Sequence, residues 1–348
     1  MEELDAPLAP LTTLRLGGPA RRLVTAHTDD EVVAAVRAAD AAGEPLLVLG
    51  GGSNLVIGDA GFAGTVLRIA TTGFTLDGAV LELAAGEVWA DAVRRTVLEH
   101  GLAGIEFLAG IPGSAGATPV QNVGAYGQEV AQTVTEVVAY DRRADGVVTL
   151  TGAECHFSYR HSRFKAEPDR YVVLRVRFAL EDAGGRSTPV RYAEVAKHFG
   201  VAQDERVGLR EAYEAVLGLR AGKGMVLDPA DHDTWSAGSF FTNPVLDPEQ
   251  YAAFLALAAG RELTAPAYPA PDGRTKTSAA WLIDRAGFGK GYGSGPATLS
   301  TKHTLALTNR GAATTEDLLA LAREIRDGVR DAFGVELVNE PVMVGVTL

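Results

Sequence analysis

Cysteine is nearly absent from this chain. Cys155 is the only one in 348 residues, which excludes an internal disulfide and any metal site built on cysteines. The seven histidines are scattered, with no HExxH or other short ligand spacing, so no protein metal site is expected. Positive charge is also short: 32 Lys and Arg stand against 44 Asp and Glu, a net charge of −12. A field of that sign repels nucleic acid and anionic membrane surface, and no basic arm reverses it locally. An anionic substrate would need its own basic pocket. No apolar run reaches membrane-spanning length, and the opening MEELDAPLAP lacks the apolar stretch of a secretion signal. The expectation is a cytoplasmic protein with no nucleic-acid, membrane or obligate protein partner.

What the chain has in excess is glycine, and it is clustered: Gly50 to Gly52, then Gly110, Gly113, Gly116, Gly124 and Gly127, then Gly287 to Gly295. Clustered glycines after strand-like runs mark backbone that approaches a ligand closely, because no Cβ stands in the way. The length is too great for one compact core and points to two or three subdomains.

Periodicity gives the coarse organisation. Thr28 and Glu31 form a capping-box pattern ahead of Val32, Val33, Val36 and Ala39, with Gly43 as the stop. Leu46–Leu49 reads as a short buried strand. Further strand-like runs lie at 65–70, 80–85, 134–140, 147–150 and 171–180, with a helix at 87–100 and a hairpin turn at Asp145-Gly146. After about 207 the texture turns helical: Asp247-Pro248-Glu249 opens one helix that Gly260 closes, and others span 277–286 and 314–333. Two short strands, 335–338 and 342–347, end the chain. Segments 186–206 and 262–274 read as loops. The fold class expected is α+β in three parts.

Two loops carry ligand chemistry. Gly50-Gly51-Gly52-Ser53-Asn54 offers successive backbone amides suited to a phosphate or pyrophosphate, yet it is neither a Rossmann fingerprint nor a P-loop. The run from Ala109 to Gly127 is small, Pro-punctuated and able to lie against a flat ligand, with Gln121 and Asn122 placed to read a ring edge. Together they suggest a dinucleotide, its pyrophosphate and its ring at opposite ends. Ser239 has no GxSxG elbow, so a hydrolase nucleophile is disfavoured and a proton donor fits better. Arg160 is either a solvated loop charge or a guanidinium able to grip a carboxylate or enolate. Glu340, before Pro341, is extended at a strand entry. Arg220 and Lys223 are three apart at a helix end and face one way.

Five segments, LGGGSNLVI at 49–57, GIPGSAGATPVQNVGAYGQE at 110–129, SYRHSRFK at 158–165, AGSFFTNP at 237–244 and LVNEPV at 337–342, resemble the UDP-N-acetylenolpyruvoylglucosamine reductase family. They run in order along nearly the whole chain. The resemblance implies an FAD-binding fold of the vanillyl-alcohol-oxidase type in two subdomains plus a C-terminal α+β substrate domain. Its parts would be 1–68, joined by strands in 335–348, then 69–207, then a substrate-binding part at 208–334.

It further implies non-covalent FAD with NADPH as co-substrate, and reduction of the UDP-linked enolpyruvyl sugar to UDP-N-acetylmuramate for peptidoglycan synthesis. The catalytic residues would be Arg160, Ser239 as proton donor and Glu340. FAD would be held by Gly50, Gly51, Gly52, Ser53, Asn54, Pro112, Gly113, Ser114, Ala117, Thr118, Gln121, Asn122, Gly124 and Tyr126. Substrate would be held by Tyr159, Asn243, the diphosphate clamp Arg220 and Lys223, and Tyr192, which lies in an insertion found in one branch of the family. Lys276, Arg285, Lys302 and His303 receive no role. Two rivals stand: an FAD oxidase, which would want a covalent His or Cys link that neither loop offers, and a non-catalytic binder of FAD or a sugar nucleotide.

Overall fold

The computed structural model describes residues 1–348. Contacts gather them into two units: Met1–Ala6, Ala20–Gly52 and Ala63–Val226 form the first, and Pro7–Pro19, Ser53–Phe62 and Leu227–Leu348 the second.

The first unit holds a two-stranded sheet, Gly124–Ala125 with Gln128–Glu129, and two large sheets. In one, strands Glu2–Pro7, Pro19–Ala26, Phe62–Ile69 and Leu46–Leu49 lie side by side in that order, the last pair parallel with Leu46 opposite Thr65. Helix Asp29–Ala41 buries Val32, Val36 and Ala39. Thr28 accepts the Glu31 amide at 3.2 Å, but Glu31 reaches back to the His27 amide at 2.7 Å, one residue before the position a capping box requires.

The second sheet is antiparallel, in the order Gly146–Thr151, Val134–Asp141, Tyr171–Ala179, Val80–Ala84, Phe74–Asp77. Its central strands are nearly continuous apolar runs because both faces are covered; Val137, Val138, Ala139 and Tyr140 are all buried. Helices Trp89–Leu98 and Leu209–Gly222 pack on each other, adding Trp89, Val93, Val97, Ala212, Tyr213 and Val216 to the same core. Each large side chain so buried contributes about 2–3 kcal/mol. That packing places Leu209–Gly222 in the first unit, whereas the sequence division opened a third part at 208. Segment 186–206, read as loop, contains helix Ala193–Phe199, closed by Gly200 in the left-handed region at φ +65°.

The second unit packs around helix Thr315–Phe333, whose stripe Leu318, Leu319, Ala322, Ile325, Val329 and Phe333 is buried among helices Pro248–Ala259 and Ala279–Arg285. Thr314 and Asp317 form a complete capping box there. Strand Val342–Val344 pairs parallel with Leu55–Ile57. No strand forms over 335–338: Val335 and Leu337 are buried and Val338 exposed, as alternation requires, but the stretch joins no ladder. Alternation there reports burial, not pairing. No helix is long and apolar enough to cross a membrane.

Candidate functional site

The two glycine loops touch. Strand Leu46–Leu49 delivers Gly50 and Gly51 against residues 113 and 114. A Cβ on Gly50 would stand 2.4 Å from Ser114 Oγ, and one on Gly51 2.6 Å from the Gly113 Cα. At Gly51, where the obstacle is backbone, only glycine permits this approach. The second loop is pinned from below, since the Ala115 amide donates to the Glu87 carbonyl at 2.8 Å and the Gly116 amide to that of Ala85 at 2.9 Å. Thr118 is buried and donates to the Ala115 carbonyl at 2.7 Å. The start of this loop therefore shares one place with Gly50–Gly52 rather than standing at the far end of a ligand. No charged side chain occurs in 50–54 or 111–127. This uncharged, small-residue cradle fits the pyrophosphate and flat ring of FAD.

Asn122 corrects the expectation that its side chain reads a ring edge. Its amide nitrogen donates to Glu129 Oε2 at 2.7 Å and to the Ser158 carbonyl at 3.1 Å, and its Oδ1 accepts the Ala131 amide at 3.1 Å. It is 1% exposed and works as a strut, leaving only its backbone for a cofactor. Gln121 and Tyr126 are half-buried on either side.

The strut holds up Arg160. Ser158 and His161 exchange two backbone hydrogen bonds of 3.1 Å each, so Tyr159 and Arg160 form the tip of a tight turn. Arg160 has φ +53°, which costs a non-glycine residue about 1–2 kcal/mol. Its Nη2 donates to the Gly124 carbonyl at 3.1 Å, and its guanidinium carbon lies 5.4 Å from the Tyr159 ring centre. A side chain on Gly124 would crowd both Glu129 and Arg160. Lys165 Nζ caps the Arg160 carbonyl at 3.0 Å.

A second group in the same unit brings together Tyr126, Tyr192, Arg220 and Lys223. The Tyr126 and Tyr192 rings meet edge-on at 5.3 Å, and the Lys223 ammonium lies 5.4 Å from the Tyr126 ring centre. Helix Leu209–Gly222 ends at Lys223, so Arg220 and Lys223 sit on its last turn. The Arg220 stem is partly accessible but its head is deep: Nη2 donates to the Met225 carbonyl at 2.9 Å, and Nε is buried without a partner. Burial pushes its pKa down to about 10, with Tyr126 acting weakly the other way. A buried cation lacking a carboxylate partner is prepared for an anion. Sequence reasoning missed Glu194, whose Oε2 lies 2.7 Å from Lys223 Nζ. Its only signal was its place in the first turn of an unrecognised helix.

In the second unit, Gly238 at φ +73° turns the chain so that Ser239 is half-buried, ahead of Phe240 and Phe241, which are each 1% exposed. The Glu340 amide donates to the Phe240 carbonyl at 2.8 Å, which brings the backbone of Glu340 beside Ser239. Asn54 ties in the other side: its Nδ2 donates to the Glu340 carbonyl at 3.4 Å and its carbonyl accepts the Val342 amide at 2.9 Å. Asn243, expected to touch substrate, uses its Oδ1 to accept the Ala279 amide at 3.0 Å at the start of helix Ala279–Arg285. Lys302 is paired with Asp231 at 2.5 Å.

A cavity of about 260 Å³ in the first unit is lined by Gly104, Phe107, Gln128, Thr188 and Arg191 among others. It contains none of the residues expected for the site.

Comparison with known proteins agrees with both glycine loops and the C-terminal motifs. The profile of an FAD binding domain matches residues 20–151, and that of the UDP-N-acetylenolpyruvoylglucosamine reductase C-terminal domain matches 228–344. UDP-N-acetylenolpyruvoylglucosamine reductase of Streptomyces avermitilis is 74% identical over 347 residues, covering 99% of this chain and 95% of that protein. The protein of the same name from Thermobifida fusca is 58% identical over 352 residues, covering 99% and 98%. Among solved structures, UDP-N-acetylenolpyruvylglucosamine reductase from Thermus caldophilus has a TM-score of 0.67 at 26% identity, covering 99% of this chain and 98% of that one. 6-Hydroxy-D-nicotine oxidase from Arthrobacter nicotinovorans shares the fold alone, with a TM-score of 0.55 at 15% identity over 92% and 83%. On this footing the α+β fold is of the vanillyl-alcohol-oxidase type with a reductase C-terminal domain, its cofactor is FAD, and the chain belongs to the UDP-N-acetylenolpyruvoylglucosamine reductase family of oxidoreductases.

Proposed function

We propose that this enzyme reduces UDP-N-acetylenolpyruvoylglucosamine to UDP-N-acetylmuramate in the cytoplasm, as a step of peptidoglycan precursor synthesis, with NADPH as hydride source. The observation that carries the reading is the Arg160 turn: a strained arginine bonded to Gly124, in a turn that Asn122 holds at Ser158, within the segment whose resemblance to the family implies the catalytic arginine. Bound FAD would relay hydride from the nicotinamide to the substrate's β-carbon. The chain's own residues supply the rest. Arg160 is assigned to the substrate carboxylate, where a guanidinium stabilises the enolic charge that builds when hydride arrives. Glu340 shares that charge, and must carry or share a proton to do so. Ser239 Oγ delivers a proton to the α-carbon. Tyr159 and Asn243 are proposed to line the substrate, the latter through whatever its helix-capping role leaves available. Tyr192, Arg220 and Lys223 are assigned to the UDP end, which does not change in the reaction.

The functional division is proposed as two cofactor-binding lobes, 1–68 joined by 335–348 and 69–207, with a substrate part at 208–334. The contact units divide otherwise, grouping 7–19, 53–62 and 335–348 with 227–334 and helix Leu209–Gly222 with the first unit. The test is spectral and anaerobic. NADPH should bleach the yellow protein, and the enolpyruvyl sugar should restore the colour faster than air does. A protein that bleaches but is reoxidised only by air would refute the assignment.

A further inference from the structure

We propose that Glu194 is an electrostatic latch on the diphosphate subsite: it occupies Lys223 in the ligand-free enzyme and gives up that lysine when the diphosphate arrives. The inference rests on the reading above that Arg220 and Lys223 hold the UDP diphosphate.

The geometry supports a latch over a permanent bridge. Glu194 Oε2 and Lys223 Nζ are 2.7 Å apart, with a third of the lysine side chain and two fifths of the glutamate exposed. An ion pair so open to water is weak, and each partner is readily exchanged. A diphosphate offers more negative charge and several acceptor oxygens, and its bonds to lysine are charge-assisted. Nearby, the Arg220 head is buried with Nε unpartnered, so the incoming anion has a second cation whose charge nothing else neutralises. Glu194 is then the one acid paired with the subsite's cations, and it competes with the ligand by occupying Lys223.

The latch also connects two elements. Glu194 lies in the first turn of helix Ala193–Phe199, whose N-terminal flanking residue is Tyr192, and Lys223 ends helix Leu209–Gly222. Between them the Tyr126 ring touches both Lys223 and Tyr192. Breaking the ion pair removes one tie between the start of the Tyr192 helix and the anion subsite, and the edge-on contact with Tyr126 remains as the tie through the Tyr192 ring. A ligand too weakly charged to displace Glu194 does not release it. Glu194 is therefore a positioning residue that sets selectivity for the diphosphate.

The test is calorimetric titration of UDP into the FAD-loaded enzyme, comparing wild type, Glu194→Gln, Lys223→Met and the double variant. Glu194→Gln should bind UDP about 2- to 5-fold more tightly, the span that a released exposed ion pair allows. Lys223→Met should weaken binding, and adding Glu194→Gln to it should change nothing further. Unchanged flavin absorbance and melting temperature separate this from a folding effect, since a structural role would not tighten a ligand. Binding by Glu194→Gln that is equal to or weaker than wild type overturns the latch, as does equal tightening in the Lys223→Met background. If Lys223→Met leaves UDP binding intact, the diphosphate assignment itself fails and the latch falls with it.

Discussion

Asn122 donates a 3.1 Å hydrogen bond to the carbonyl of Ser158, two residues ahead of Arg160 in the turn. The same side chain is anchored by Glu129 and by the Ala131 amide, so the loop that cradles FAD also sets the height of the arginine. Asn122→Ala removes that strut, leaving the Ser158 carbonyl to the His161 amide alone and Glu129 without the Asn122 amide. Misplacing a charge-stabilising group by about 1 Å can cost roughly 100-fold. Stopped-flow absorbance should show flavin reoxidation by the enolpyruvyl sugar slowed by that order, while flavin reduction by NADPH changes little. Equal slowing of both halves would assign Asn122 to the cofactor instead.

Gly51 tests the contact between the loops. The nearest atoms to its would-be Cβ are the Gly113 Cα at 2.6 Å and the Gly113 carbonyl carbon at 2.8 Å, backbone that cannot swing aside. Gly51→Ala should destabilise by about 1–3 kcal/mol and lower the flavin content of the purified protein. Gly218, on a helix with open space around it, is the control: Gly218→Ala should be neutral or stabilising by up to about 1 kcal/mol. Melting temperature and the ratio of flavin to protein absorbance check both.

Sequence pattern revealed most of this fold where local chemistry decides it. Thr28, Asp247 and Thr314 announce their helices because each side chain caps its own turn, and the Thr315–Phe333 stripe faces one core. Pairings set by distant partners left no such mark. EELDAP at 2–7 carries no alternation, yet it lies against Pro19–Ala26, and Val342 finds Leu55 from far along the chain. The glycine loops were legible as ligand loops because glycine is the cause of the close approach. Asn122, Asn243 and Glu194 were not, because a polar residue reads alike whether it contacts a ligand, a carbonyl or a neighbouring lysine.

Flavin attachment follows from what the loops contain. Neither 50–54 nor 109–127 has a His or Cys, and Cys155 is fully buried with its thiol pushed up to about 11 by burial. A thiol so held is a poor nucleophile. Acid precipitation should release all the yellow colour to the supernatant; flavin retained in the pellet would contradict non-covalent binding.

Arg220 predicts a pH dependence for the UDP end. Its charged form is disfavoured by burial, so it loses its proton near pH 10 rather than far above. Charge is present below that pKa and lost as pH rises through it, and a diphosphate binds the charged form. Lys223 and Tyr126 face the same spot, and both titrate above their ordinary values. Burial is the largest single influence on Lys223 and opposes its charge, but the Glu194 bond and charge together with Tyr126 and Tyr192 outweigh it, while burial raises Tyr126. UDP affinity should therefore fall as pH rises through about 10. The fall should persist in Lys223→Met and move to higher pH in Arg220→Met, where Lys223 is the cation left to titrate. A flat profile in Lys223→Met would remove Arg220 from the subsite.

Ser239 separates the two halves of the reaction. The Gly238 turn holds it half-buried, and the backbone bond from Glu340 to Phe240 fixes that turn from the other side. If its hydroxyl protonates the α-carbon, it acts only after hydride has reached the substrate. Flavin reduction by NADPH delivers no proton to carbon, so Ser239→Ala should leave that half nearly intact. Reoxidation by the enolpyruvyl sugar should slow by about 100- to 10,000-fold, the usual worth of a positioned acid. Ser239→Cys should fall between, because a thiol also donates a proton but from a longer bond. A serine that merely shaped the turn would give a different result: lower stability or lost FAD, with both halves slowed together. Rapid-mixing absorbance on each half of a folded, FAD-replete Ser239→Ala enzyme decides, and equal slowing of the two would end the proton-donor role.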